Sequence, residues 1–227
     1  MKPQLRRIGT EQNPLVIIDE FSGRAGEIVE IAEQLAPYPP ASNYYPGLRR
    51  IITPVDRSAD DYVEETCERA GQFIAGAFDF DSFALLEASF SIVAKRPAEL
   101  SPAQRAPHFD TADPKHLALL HYLRVPPGSG TAFYCQRSTG IERVTEENLD
   151  RFVTTARREA MLLSPDSGYI SGSDEFFEQV AAVQAVPDRL IIYQGSLLHS
   201  GIIPADMEFT GDPRCGRLTA NLFIRGD

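Results

Sequence analysis

The sequence predicts a single α+β domain that is mainly β, with two helical segments early in the chain and most strands after them. The 227 residues, of which 43% are hydrophobic, suit one domain over 1–227 and can bury a full core without disulfide or metal supports. Two segments before residue 80 have the apolar spacing of helices, and short apolar segments bounded by turn residues occupy much of the remainder. No repeat, low-complexity segment or linker divides the sequence.

The first elements are an apolar strand at 14–19 and an amphipathic helix at 23–35. A loop rich in proline and tyrosine follows at 37–47, since proline restricts the backbone there to extended and turn conformations. Its adjacent Tyr44 and Tyr45 either cover a pocket or pack at the surface beside the loop.

The next elements are a helix at 58–77, for which Ser58 or Asp60 would serve as N-cap, and a buried strand at 84–94. Later segments alternate between turn residues and apolar runs. They predict strands at 117–125, 131–135, 189–193 and 217–224, and helices at 145–163 and 174–182.

Composition argues against two classes of partner. The chain has 22 basic and 32 acidic residues, a net charge of −10 and a pI near 4.9. An acidic surface repels phosphate backbones and anionic lipids, so we expect no nucleic acid as main partner. No apolar run approaches the roughly 18 residues of a spanning helix, and the basic start lacks the apolar segment of a secretory signal. We therefore expect no membrane association.

Three cysteines, Cys67, Cys135 and Cys215, are widely separated and form no zinc-binding spacing. An odd number of separated cysteines is typical of free thiols in a reducing compartment. The sequence therefore predicts a cytoplasmic location.

Two of the four histidines fall in a pattern that suits a metal ion. His108 and Asp110 are two residues apart in a segment expected to be extended, so their side chains project to the same side. His199 follows the apolar strand at 189–193 and is the candidate third ligand. Two histidines and one carboxylate form the facial triad of non-haem Fe(II) oxygenases, which leaves three positions open. Each histidine alone is more typical of a loop or turn, but the joint pattern favours the metal site.

The last predicted strand carries an unusual polar face. Arg217, Thr219 and Asn221 alternate with apolar residues, so they share one side of the strand. Burial of an arginine costs several kcal/mol unless an anion pairs with it, and a guanidinium suits a carboxylate through two parallel hydrogen bonds. These residues therefore indicate a carboxylate-binding site. The alternative is an edge strand whose polar face contacts water.

These residues together resemble the Fe(II)/2-oxoglutarate-dependent dioxygenases, and in particular prolyl-hydroxylase-like members of an uncharacterised bacterial branch. The family pattern is an HxD motif, a distal histidine, and an arginine that opens a strand, often followed two residues later by Ser or Thr. The matching residues are His108, Asp110, His199, Arg217 and Thr219.

The resemblance implies a double-stranded β-helix (jelly-roll) core at 107–225, with N-terminal and inserted helices and a supporting region at 1–100. It implies that His108, Asp110 and His199 are catalytic ligands of Fe(II), and that Arg217 binds the distal carboxylate of 2-oxoglutarate. Tyr122, Thr219 and Asn221 would complete the cosubstrate site. Two departures are that Ser129 interrupts the usual Gly-Gly pair and that Arg217 follows His199 at a longer spacing than in many members.

The implied activity is hydroxylation of an amino acid, a peptidyl side chain or a small molecule, with O₂ and 2-oxoglutarate converted to succinate and CO₂. Because Asp110 is a carboxylate, it leaves no vacated ligand position for chloride, so the resemblance favours oxygen insertion or desaturation over halogenation. Two alternatives stay open: a metal enzyme that does not use 2-oxoglutarate, and a jelly-roll binding protein without turnover. Of the other histidines, His116 is expected to be exposed and His121 to pack in the sheet.

Overall fold

The structure, a computed structural model, describes residues 2–164 and 166–227. In chain order its elements are β1 (Lys2–Ile8), β2 (Asn13–Asp19), α1 (Ala25–Gln34), β3 (Gly47–Ile51), α2 (Arg57–Phe78), β4 (Phe83–Val93), α3 (Pro102–Arg105), β5 (His116–Arg124), β6 (Gly130–Gln136), α4 (Leu149–Ala160), β7 (Phe177–Gln184), β8 (Arg189–Gln194), β9 (His199–Ile202) and β10 (Leu218–Gly226), with a 3-10 turn at Pro97–Glu99.

The strands form two antiparallel sheets. The larger has the order β1-β2-β8-β5-β10-β4-β3, and the smaller has the order β7-β6-β9. Strands that are far apart in sequence are neighbours in both sheets, as in a jelly roll. The predicted mainly β, double-stranded β-helix fold is therefore confirmed.

The larger sheet has an apolar layer on each face. Helices α1 and α2 cover the outer face, where a helical row from Ala59 to Ile74 packs against alternate residues of β10 such as Leu218 and Leu222. Between the sheets, Tyr122, Phe133 and their neighbours form a second buried layer. Full burial of a large apolar side chain contributes about 1.5–3 kcal/mol. The outer layer therefore stabilises the packing of the helices on the larger sheet, and the inner layer stabilises the packing of the two sheets.

The predicted helix at 174–182 is wrong, because this segment contributes strand β7 at the edge of the smaller sheet. Its Glu, Gln and Ala residues favour a helix locally. However, Phe177 and Val183 bury their side chains on the sheet, and pairing with β6 satisfies the backbone. Asp174 accepts hydrogen bonds from the backbone N–H groups of residues 176 and 177, which closes a turn before the strand.

Other differences concern element ends and short strands. Helix α2 begins one residue earlier than predicted, so its N-cap position is Asp56 rather than Ser58 or Asp60. Helix α4 is shorter at both ends than the predicted 145–163. Strands β1, β3 and β9 were not predicted, and the first part of the chain supplies four of the seven strands of the larger sheet.

A buried polar network joins helix α2 to the larger sheet. His121 is fully buried, as expected, and its two ring nitrogens lie 2.8 Å from the Tyr62 hydroxyl and 3.0 Å from an Asp188 carboxylate oxygen. Asp188 also accepts hydrogen bonds from the Ser22 hydroxyl and from the backbone N–H groups of Ser22 and Gly23. Because these donors favour the charged form, the pKa of Asp188 lies far below its ordinary value.

We predict that Asp188→Asn lowers the free energy of unfolding by about 1–3 kcal/mol at pH 7, because the charged acceptor is lost. Asn tolerates the positive φ of 64° at this position, so the backbone should be unaffected. Because the pKa of Asp188 is lower in the folded chain than in the unfolded chain, its carboxylate stabilises the folded state at pH values above the unfolded-state pKa. This stabilisation is lost as the pH falls towards the folded-state pKa. The difference between the two proteins in urea unfolding should therefore shrink below about pH 4.

The matched control is Asp113→Asn, which removes a carboxylate whose ion-pair partner among the described residues is the half-exposed Arg225, 2.8 Å away. Exposed ion pairs contribute about 0–1 kcal/mol, so this variant should unfold nearly as the unchanged protein does. Equal losses for the two variants would contradict the role given to Asp188.

Candidate metal and carboxylate site

The side chains of His108, Asp110 and His199 converge, with ligand atoms that all lie within 4.8 Å of one another. His108 and His199 are paired backbone to backbone in an antiparallel bridge, with N–H···O distances of 2.9 and 2.8 Å. Because this bridge places the two residues opposite each other, their rings come to 4.4 Å between centroids. The structure thus brings together the three residues that the sequence indicated.

Asp110 is held by the turn after β8. Its backbone N–H donates to the carbonyl oxygen of Gly195 at 2.7 Å. A Cβ atom at Gly195 would lie 2.4 Å from a ring nitrogen of His116 and 3.2 Å from the Asp110 Cβ. Only glycine therefore allows this turn to approach the HxD segment so closely.

The histidines are suited to act as neutral ligands. His199 is buried, and desolvation lowers its pKa to about 4. His108 and Asp110 have exposed surface, but desolvation by the surrounding atoms still lowers the pKa of His108 and raises that of Asp110. The Nδ1 atom of His199 lies 2.8 Å from the carbonyl oxygen of Leu197, which assigns the ring proton to Nδ1. The Nε2 lone pair therefore faces Asp110, whose carboxylate is 3.8 Å away.

A cavity of about 320 Å³ opens beside the three residues and extends between the sheets. His108, Asp110 and His199 form part of its wall. Arg217, which directly precedes β10, also lines it, as do Thr219 and Asn221 on the inner face of β10. Since β10 lies between β5 and β4, the alternative of an exposed edge strand is excluded.

Arg217 is a buried cation without a counter-ion in the described part of the chain. It is 5% exposed, its Nη2 makes a single long hydrogen bond of 3.4 Å to the Gly130 carbonyl, and its Nε has no partner. Because an unpaired buried charge is costly, this guanidinium suits an anion that enters the cavity. The donor set of two neutral histidines and a carboxylate likewise suits a divalent transition metal.

Tyr122, predicted as a cosubstrate residue, lies one layer behind the cavity wall. Its ring centroid is 6.0 Å from the Arg217 guanidinium carbon, but its hydroxyl donates to the Thr131 hydroxyl at 2.7 Å. Thr131 itself lines the cavity. Tyr122 thus reaches the cavity through Thr131.

His116 is not exposed as expected. It begins β5 half-buried, and its Nδ1 is enclosed without a hydrogen-bond partner among the described residues. Its ring packs against that of Phe223, which lines the cavity, with 5.3 Å between the ring centroids. The sequence pattern missed this because His116 lies at a strand start, where burial depends on the turn that crosses it.

Two further residues line the cavity: Arg49, which the sequence did not indicate, and Tyr45, one of the two adjacent tyrosines considered for a pocket. Arg49 on β3 pairs with Glu87 at 2.8 Å and donates from Nε to the Ser89 hydroxyl, with its guanidinium 5.3 Å from the Phe223 ring. Tyr44 and Tyr45 both line the cavity, although Tyr44 is 77% exposed. The expectation that this tyrosine pair covers a pocket therefore fits both residues, with Tyr44 open to solvent.

We predict that the unchanged protein binds one divalent metal ion per chain and that His199→Ala abolishes binding, because one of three ligands is lost. Anaerobic titration with Fe(II) or Ni(II) by calorimetry measures this directly. The matched control is His116→Gln, which removes a histidine next to the site but outside the triad and should retain the metal. Equal metal affinity in His199→Ala and the unchanged protein would contradict the assignment.

Solved structures with a similar fold include enzymes that use iron and 2-oxoglutarate. The non-haem α-ketoglutarate-dependent epimerase SnoN from nogalamycin biosynthesis matches with a TM-score of 0.55 and 13% identity, over 95% of this chain and 80% of SnoN. HygX from Streptomyces hygroscopicus, solved with nickel and 2-oxoglutarate, matches with a TM-score of 0.55 and 13% identity, over 95% of this chain and 84% of HygX. A Pseudomonas putida prolyl-4-hydroxylase matches with a TM-score of 0.51 and 12% identity, over 96% of this chain and 95% of that one.

At these identities the likeness shows only that the chain shares the fold of these proteins. No curated protein matches the sequence. Residues 1–224 match the sequence model of a family of unknown function, DUF6445, and because the match spans nearly the whole chain, the protein belongs to that family.

Proposed function

We propose that this protein is a non-haem Fe(II)/2-oxoglutarate-dependent oxygenase, most simply a hydroxylase, with His108, Asp110 and His199 as the ligands of Fe(II). The observation that carries the proposal is the combination, in one cavity, of this His-Asp-His cluster with a buried arginine that lacks a counter-ion. A metal ion and a dicarboxylate would satisfy both features at once. 2-Oxoglutarate has a chelating 2-oxo acid at one end and a second carboxylate at the other.

Each residue has a defined part in this proposal. His108 and His199 supply neutral nitrogen donors, and the backbone bridge between them keeps these donors adjacent. Arg217 neutralises and orients the distal carboxylate of 2-oxoglutarate, while Thr219 and Asn221 offer polar atoms beside it. Bound Fe(II) would supply the activation of O₂ that couples decarboxylation of 2-oxoglutarate to oxidation of the substrate.

The substrate we propose is a small molecule, an amino acid or a peptidyl side chain. HygX, of similar fold, has been solved with nickel, 2-oxoglutarate and the small molecule hygromycin B bound. The acidic charge of −10 argues against nucleic acid. None of the helices in residues 2–164 and 166–227 is long and apolar enough to cross a membrane.

The reaction type we propose is hydroxylation or desaturation. Asp110 occupies the carboxylate position of the triad, which leaves no vacated ligand site for chloride. An epimerase is among the proteins of similar fold, so the fold alone is compatible with more than one outcome after hydrogen abstraction.

The competing function is a jelly-roll protein that binds a metal or small ligand without turnover. It requires the same cavity but not the consumption of 2-oxoglutarate. Succinate formation therefore separates the two functions.

We predict that protein supplied with Fe(II), 2-oxoglutarate and O₂ forms succinate, slowly without substrate and faster when a substrate is present. Mass spectrometry of succinate measures this. Asp110→Ala should form none, because the iron loses its carboxylate ligand. If the unchanged protein binds Fe(II) and 2-oxoglutarate but forms no succinate with any candidate substrate, the binding-protein function is favoured instead.

We predict that Arg217→Ala weakens 2-oxoglutarate binding by about 2–5 kcal/mol, roughly 30- to several-thousand-fold, because it removes a charge-assisted pair in a buried site. Metal affinity should be unchanged, since Arg217 is not a ligand. Arg225→Ala is the matched control, because this arginine pairs with Asp113 at the exposed end of the same strand. Undiminished 2-oxoglutarate affinity in Arg217→Ala would remove the main support for the cosubstrate.

We further propose one functional domain over 1–227, in which 107–225 bind metal and cosubstrate and 1–100 support them. A reducing cytoplasm is the compartment we propose, since Cys67, Cys135 and Cys215 are all free.

A further inference from the structure

The hydroxyl group of Tyr45 is a buried donor without a partner. It is shielded from solvent and makes no hydrogen bond with any described residue. Its side chain lines the cavity together with Arg217 and Thr219. An unsatisfied buried hydroxyl costs about 1–3 kcal/mol, so its position favours a ligand group that accepts a hydrogen bond.

The backbone around Tyr45 is fixed on both sides. The carbonyl oxygen of Tyr44 accepts a hydrogen bond from Gln104 at 2.9 Å, and that of Pro46 accepts from the N–H groups of Ala94 and Lys95, each at 3.2 Å. At Gly47, a Cβ atom would lie 1.9 Å from the carbonyl oxygen of Ile92, so only glycine lets the loop meet β4 this closely. The loop therefore holds the phenol in place before any ligand binds.

The surroundings of the phenol are cationic. Burial raises the pKa of Tyr45 to about 12, while Arg217, Arg49 and Thr219 act to lower it. These groups thus lie near the hydroxyl, although none makes a well-formed hydrogen bond with it. Tyr45 stays protonated at neutral pH and can donate to an anion that Arg217 attracts.

We propose that Tyr45 donates a hydrogen bond to the same carboxylate that Arg217 binds, the distal carboxylate of 2-oxoglutarate. This inference rests on the proposed function. Tyr122 is the less suitable donor, because its hydroxyl hydrogen is already directed to Thr131. A loop from outside the jelly-roll core thus completes the cosubstrate site, and Tyr45 is one of its binding residues.

The test is calorimetric titration of the Ni(II)-loaded protein with 2-oxoglutarate in the absence of O₂. Tyr45→Phe removes one oxygen atom and should weaken binding about 10- to 100-fold, since hydrogen bonds to charged groups are the stronger class. Tyr44→Phe removes the same atom from the exposed neighbour and should bind as the unchanged protein does. Tyr122→Phe should weaken binding less than Tyr45→Phe.

Titration with pyruvate locates the contact along the cosubstrate. Pyruvate has the chelating 2-oxo acid but no distal carboxylate, so Tyr45→Phe should leave its affinity unchanged. A loss for both ligands would assign the variant's effect to the metal end or to folding and overturn the inference. Thermal unfolding of each variant identifies any folding defect.

The two proposals fail in different ways. If Arg217→Ala loses 2-oxoglutarate while Tyr45→Phe binds it normally, the inference about Tyr45 is overturned and the proposed function stands. If the unchanged, metal-loaded protein does not bind 2-oxoglutarate, both are overturned.

Discussion

The backbone bridge between His108 and His199 is the interaction on which the site depends. Two hydrogen bonds place residues from opposite ends of the core directly across from each other, so that their rings touch without any help from a ligand. The adjacent bond from Asp110 to Gly195 brings the carboxylate to the same point. Ordering three side chains costs conformational entropy. Here most of that entropy is already lost on folding, because the backbone hydrogen bonds fix the three residues next to one another. A metal ion would meet preformed ligands rather than assemble them.

The side chains of β10 alternate between an apolar face, which packs in the core, and a face that lines the cavity. Leu218, Ala220, Leu222 and Ile224 are fully buried against the helices that cover the outer face. Residues of the opposite parity face the cavity, which puts polar atoms at the level of the metal and carboxylate sites. A slip of one residue would exchange the two faces. The apolar layer beneath α2 therefore also fixes which side chains can reach a ligand.

Much of this could be predicted from the sequence because the decisive signals are local. Period-two alternation identified β10 and its polar face, and the HxD spacing identified two members of the triad. Strand β7 could not be predicted, since its residues favour a helix and only pairing with β6 makes it a strand. Likewise, nothing local distinguishes Tyr45 from Tyr44. Which phenol turns inward depends on Gly47, Gln104 and the edge of β4, and these contacts exist only in the folded chain.

The two arginines that line the cavity differ in how well their charges are paired. Arg49 is satisfied within the protein, because Glu87 and Ser89 take two of its donors and the Phe223 ring covers its face. Arg217 has only a long bond to a carbonyl oxygen, although it is the more deeply buried of the two. A protein gains no stability from a buried cation in that state. The unpaired positive charge, with the unpartnered hydroxyl of Tyr45 in the same cavity, therefore makes the folded chain complementary to an anion.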